Sequence, residues 1–241
     1  MIHKTRGIVL HSVKYSETSL VVKIYTDVFG LQSYMVKGIR KAHSRFSPAL
    51  FQPMSVLDMA VYHKEKTSLH SLKDVHFSFP YQTIPFDIRK TSVAFFMNEL
   101  LYRTIREEEP DQPLFDFLLE ACTRLDKPSA TVWLFPLYFS IQLSRFLGFM
   151  PHAEFSSARS IFYLKEGIFQ ENIPEKEEYL DPELAGYFHS LLICSWDDLD
   201  RITIPSPARG KLLEKILHYY QLHMSGFTGL QSPAILHTIL S

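Results

Sequence analysis

The hydrophobic period of this 241-residue chain changes at Pro80, and that change restricts the fold more than any single motif does. Before it, apolar residues alternate. Leu20, Val22 and Ile24 share one face of Ser19 to Thr26 while Lys23 and Tyr25 take the other, which is the signature of a half-buried strand. Ile8 to Leu10 form an apolar run, and Leu31 to Val36, Ser55 to Tyr62 and Leu69 to Phe77 read as further strands, with turns at Asp27 to Gly30 and His63 to Thr67. Five strands in about 75 residues predict a small closed barrel, with the OB-fold first; strand count alone leaves an SH3-like barrel open.

After Pro80 the period becomes helical. Asp87 is placed to cap a helix reaching about Arg106, in which Val93, Phe96, Met97, Leu100 and Leu101 form one face. A second helix carries Leu114, Phe115, Leu118, Leu119, Cys122 and Leu125, and a third is predicted from an N-cap at Ser129 to just before Gly148. Between Phe155 and Ile173 the helical pattern lapses into a hairpin, Ile161 to Leu164 and Ile168 to Phe169. Helices then restart at Asp181-Pro182, Ser206-Pro207 and Ser232-Pro233, each a capping residue followed by proline where a missing N–H costs nothing. The predicted architecture is multidomain β + α: a five-stranded OB-fold barrel over 1–80, then an all-α domain over 81–241 with a small β-hairpin insertion at about 155–173.

Charge divides along the same line. Of the 25 Lys and Arg, 11 lie before residue 81, against 5 of the 26 Asp and Glu, so the first 80 residues carry +6 and the remainder −7. The barrel therefore faces a polyanion and the helices face proteins. The densest cations sit in one loop between strands, where Lys37, Arg40, Lys41 and Arg45 fall within nine positions that hold no acid. Arg6, Lys14, Lys64 and Lys66 extend the basic set. Tyr15 and Tyr34 lie near these cations, as do Tyr25 and Phe46, and rings on a barrel face can stack bases at about 1–3 kcal/mol each.

Catalytic signatures do not support an enzyme. The chain has no HExxH, GxSxG or CxxC, and Gly210-Lys211 has Pro205 and Leu212 where a phosphate-binding loop needs Gly and Ser or Thr. The acidic run Asp197, Asp198 and Asp200 reads as a solvated loop. Cys122 and Cys194 read as reduced thiols, too few for a four-cysteine zinc site. No cofactor and no metal site is expected. No apolar run approaches the ~20 residues of a membrane helix, so a cytoplasmic protein is expected. A non-catalytic interaction adaptor without a nucleic-acid role is the alternative from another class.

The strings GIVLHSVKYSETSLVVKIYTDVFG and VKGIRKAHSRF, then Asn98-Glu99-Leu100, Leu114-Phe115, Leu147 to Pro151 and Leu230-Gln231-Ser232, resemble the RecO family of recombination mediators across essentially the whole chain. The resemblance implies DNA repair and homologous recombination after DNA damage. It implies binding of single- and double-stranded DNA, strand annealing and, with RecR, help in loading RecA. It also implies a seat for the C-terminal tail of single-stranded DNA-binding protein, for which Arg124, Phe135, Phe139 and Arg145 are the expected residues. Many relatives carry a four-cysteine zinc module after the Gly-Phe-x-Pro stretch; Phe155 to Ile173 contains no cysteine.

Overall fold

A computed structural model describes residues 1–39, 45–64, 67–106, 109–175 and 178–240. The chain divides into two compact units, one made of Met1–Phe86 with Leu101–Asp126, the other of Asp87–Leu100 with Lys127–Ser241.

The first unit holds the barrel. Strands β1 (Ile2–Lys14), β2 (Leu20–Thr26), β3 (Gly30–Val36), β4 (Val56–Tyr62) and β5 (His70–Phe77) close in the order β1-β2-β3-β5-β4. Only β3 and β5 run parallel. This is the OB-fold arrangement that the period-two pattern predicts. Val22 and Ile24, Tyr34 and Val36, and Leu57, Met59 and Val61 alternate into one core. β1 is long enough to pair with β4 through its first half and with β2 through its second; Gly7 pairs with both Thr26 and Leu57. A bulge between Val9 and His11 lets β1 turn from one partner to the other. The β2–β3 turn is closed by Thr26, whose hydroxyl accepts from the Phe29 N–H and donates to the Gly30 carbonyl, with Gly30 at a φ of 63°.

Helices α1 (Ile88–Thr104), α2 (Gln112–Leu125), α3 (Phe135–Phe146), α4 (Pro182–Ile193), α5 (Ser206–His223) and α6 (Ser232–Leu240) follow, with β6 (Ile161–Tyr163), β7 (Ile168–Gln170) and β8 (Tyr179–Leu180) forming a small sheet. The order β7-β6-β8 adds a third strand, Tyr179–Leu180, to the expected hairpin. Two residues are too few to show a period.

Helix starts differ from expectation in three places. α3 begins six residues after Ser129, with Leu134 at its N-cap position. Pro136 explains this, because proline fits the first turn and would break the interior of the longer helix predicted from Ser129. Asp181 caps α4 as expected, accepting from the Leu184 N–H at 2.9 Å. Ser206 and Ser232 are instead already helical: α5 has no side-chain cap, and α6 receives its cap from another helix.

Candidate nucleic-acid interface

The basic loop is anchored at both ends. Leu20 pairs with Lys14 on one side and with Val36 on the other, so Lys14 and Lys37 lie at the same end of the barrel. Gly38 turns the chain at a φ of 72°, and Ile39 then enters the core with its N–H donating to the Thr18 carbonyl at 2.8 Å. That bond joins the loop to the β1–β2 connection, where Tyr15 is 69% exposed. On the far side Phe46 is buried, Ser47 caps a short 3-10 turn over Pro48–Phe51, and Leu50 and Phe51 return to the core. Lys37 and Arg45 project from these anchored stems into solvent. Arg45 lies over the Phe46 ring at 5.3 Å and 3.9 Å from Asp74, both partners being well exposed, so the pairing is weak. Arg40 and Lys41 lie outside the described residues.

The remaining expected residues separate from this cluster. Arg6 is occupied within its unit. Its backbone N–H and its Nε both donate to Asp27, whose carboxylate also accepts from Thr5, and its guanidinium stacks on Phe115 at 5.4 Å. Lys64 is exposed, but it follows β4 where Tyr62 pairs with Ile2, at the other end of β1 from Lys14. There His63 stacks between Phe29 and His70 at ring separations of 4.0 and 4.3 Å. Lys66 lies outside the described residues. Tyr34 is corrected outright: it is fully buried in the barrel core, desolvation and Asp27 push its hydroxyl well above the usual phenol range, and it has no face to offer a base. Tyr25 is also buried, its ring against Phe115. On the barrel's outer face, Tyr102 stacks with His11 at 4.4 Å beside Lys23, a contact between segments far apart in sequence.

Of the residues expected to seat a partner's tail, Phe135 and Phe139 are buried in the core of the second unit and Arg145 is exposed on α3, while Arg124 belongs to the barrel's unit, where it pairs with Glu120 at 3.0 Å. The second unit does contain a groove of about 870 Å³, built from segments that share no sequence period. Trp133, Pro136 and Leu137 contribute apolar surface, α5 supplies the cations Arg209 and Lys211 and one carboxylate, Glu214, and α6 supplies Leu236 and Leu240. Arg209 sits 6.0 Å from the Trp133 ring, and no acidic side chain pairs with it among the described residues. Burial draws its pKa down, so a ligand carboxylate would meet a partly desolvated cation.

Among the described residues no group of three or more His, Cys, Asp or Glu could hold a metal ion. Burial raises the Cys122 thiol to about 12 and the Cys194 thiol to about 11, with Asp198 adding to the second. Neither forms an appreciable thiolate at neutral pH. No helix among the described residues is long and apolar enough to cross a membrane.

Comparison with known proteins covers both halves of the chain. Residues 1–81 match the family model for the Recombination protein O N terminal, and residues 85–230 match that for its C terminal. A protein of Phocaeicola vulgatus is 32% identical over 241 residues, 100% of each chain. One from Bacteroides fragilis is 33% identical over 237 residues, 98% of each, and one from Flavobacterium johnsoniae is 34% identical over 241 residues, 99% of each. All three are named DNA repair protein RecO.

Proposed function

The chain belongs to the RecO family of DNA repair proteins, and from that premise we propose that it binds single- and double-stranded DNA at the Lys14, Tyr15, Lys37 and Arg45 end of its barrel and anneals complementary strands there. Annealing requires one surface that neutralises two phosphate backbones, because the strands repel each other until counterions or cations intervene. The observation that carries the reading is the anchored basic loop. Lys37 and Arg45 project from stems fixed by Ile39 and Phe46, beside the connection that presents an exposed tyrosine. Arg40 and Lys41 add charge to the same loop by sequence.

The helical unit then meets proteins. We assign the tail of single-stranded DNA-binding protein to the groove containing Trp133 and Arg209, since a tail with acidic residues before an apolar end needs apolar walls and a nearby cation. Engagement of that protein, together with RecR, places the annealing surface on coated strands and promotes RecA loading.

The test is a fluorescence annealing assay on complementary oligonucleotides coated with single-stranded DNA-binding protein. The full chain accelerates pairing. Alanine at Lys37, Arg40, Lys41 and Arg45 together removes the acceleration. Equal rates for the two proteins at moderate salt would refute the assignment.

A further inference from the structure

We infer that Glu99 is the positioning residue for the groove of the second unit, holding α6 in place as one of its walls. The carboxylate of Glu99, on α1, accepts four hydrogen bonds at the start of α6. The Gln231 N–H donates to Oε1 at 2.9 Å and to Oε2 at 3.1 Å; the Ser232 N–H and hydroxyl donate to Oε2 at 2.8 and 2.5 Å. A negative charge at this point also meets the positive end of the helix dipole.

α6 depends on this tether. It has nine residues, too short to be stable in water without tertiary packing, and only Ser232 and Leu236 are buried. Yet Pro233, Ala234, Leu236, His237 and Leu240 line the groove, so the wall extends along the whole helix. The α6 residues also lie beyond the C-terminal family match, which ends at 230. Opposite them, Gly210 of α5 faces α6 closely: a Cβ there would meet the His237 ring at 3.9 Å, ordinary van der Waals contact. The width of the groove between α5 and α6 therefore follows the position of α6. Loss of the Glu99 carboxylate frees the start of the helix, α6 leaves its seat, and the apolar wall facing Trp133 and Arg209 is lost.

This inference rests on the groove being the seat of the partner tail, and the experiment separates the two claims. Amide exchange is measured on the full-length wild-type, Glu99→Ala, Glu99→Gln and Ser232→Ala proteins. Binding of a fluorescein-labelled C-terminal peptide of single-stranded DNA-binding protein is measured on the same set and on Gly210→Leu. Glu99→Ala is expected to raise exchange over residues 233–240 about tenfold while β6 and α4 stay protected, and to weaken the peptide about tenfold, as loss of charge-assisted bonds dictates. Glu99→Gln, which keeps one acceptor, falls between. Ser232→Ala, which removes one donor and preserves the carboxylate, keeps the claim testable should Glu99→Ala fail to fold; it is expected to raise exchange about threefold. Unchanged exchange over 233–240 in the Glu99 and Ser232 variants overturns the tether. Undiminished peptide binding by Gly210→Leu, or none by the wild type, overturns the groove as the peptide seat, whatever α6 does.

Discussion

The Ile39 N–H donates to the Thr18 carbonyl at 2.8 Å, so a backbone hydrogen bond ties the basic loop to the β1–β2 connection. This bond is independent of side-chain identity at Thr18. It places Lys37 and Tyr15 on two segments joined at their stems, with Ile39 buried. Cations can then be removed from the loop without loosening its base.

Salt dependence should distinguish these cations from Arg6. Lys37→Ala with Arg45→Ala is expected to weaken single-stranded DNA binding whatever the sequence. It should also reduce the slope of log K against log salt by about 0.7 for each phosphate that is no longer neutralised. Arg6→Ala should leave the slope unchanged and instead destabilise the fold by about 1–2 kcal/mol, because its side-chain bond to Asp27 and its stacking on Phe115 disappear. Fluorescence anisotropy between about 50 and 200 mM salt, the range over which such slopes are read, checks both. A reduced slope for Arg6→Ala would place DNA on the barrel's side wall.

Tyr34 provides an opposite test. Its hydroxyl is buried with no hydrogen-bond partner among the described residues. Tyr34→Phe is therefore expected to be neutral, or to stabilise the protein by up to about 1 kcal/mol, since an unsatisfied buried polar group costs about that much. DNA affinity should not change. Denaturant melts and anisotropy on one preparation are sufficient, and weaker DNA binding by the Phe variant would return Tyr34 to the interface.

The misplacement of Tyr34 shows where pattern reading reaches its limit. β2 has a single apolar face, Leu20, Val22 and Ile24, and alternation alone orients it. In β3 each alternate set carries two apolar residues and one polar one, Leu31 and Met35 against Tyr34 and Val36. The core takes the second set, with Gln32 on the same side bonded to His70. Alternation reports that a strand exists and cannot choose between two such faces. The late start of α3 was legible in Pro136. The groove was not legible at all, because Trp133, Arg209 and Leu236 come from the segment leading into α3, from α5 and from α6, and share no period.

Gly7 marks the point where β1 passes between two partners. A Cβ there would overlap the Cγ2 of Ile24 and lie 2.7 Å from the Cε of Met59. Ile24 is β-branched and fully buried, so it cannot turn away. Gly7→Ala is expected to destabilise the protein by about 1–3 kcal/mol, the usual cost of overpacking. Adding Met59→Ala removes one of the two obstructing groups, and the double variant should lose less than the sum of the two single losses. Strict additivity in urea melts would mean that the strand relaxes around the methyl group by itself.

Asp126, at the end of α2, fixes the segment that leaves the barrel, and this makes stability depend on acid. Its carboxylate accepts from the N–H groups of Gln82 at 2.7 Å, Thr83 at 2.8 Å and Ile84 at 2.9 Å, and from the Thr83 hydroxyl at 3.2 Å. Burial alone would raise its pKa, but the four donors outweigh that and hold it below the ordinary aspartate value. The folded pKa thus lies under the unfolded value of about 3.9. The stabilisation is complete above the unfolded pKa and disappears as pH falls through the folded one. Asp126→Asn removes the charge and turns an amide donor toward the Gln82 N–H or toward the Thr83 and Ile84 N–H groups. It is expected to cost about 1–3 kcal/mol at pH 7. Because the wild-type carboxyl itself becomes neutral in acid, the gap between the two proteins should narrow from about pH 4 downward. Denaturant melts of both proteins between about pH 3 and 8 measure the gap directly, spanning the unfolded aspartate pKa. A gap that stays constant across that range would mean that the three backbone donors do not depend on the carboxylate's charge.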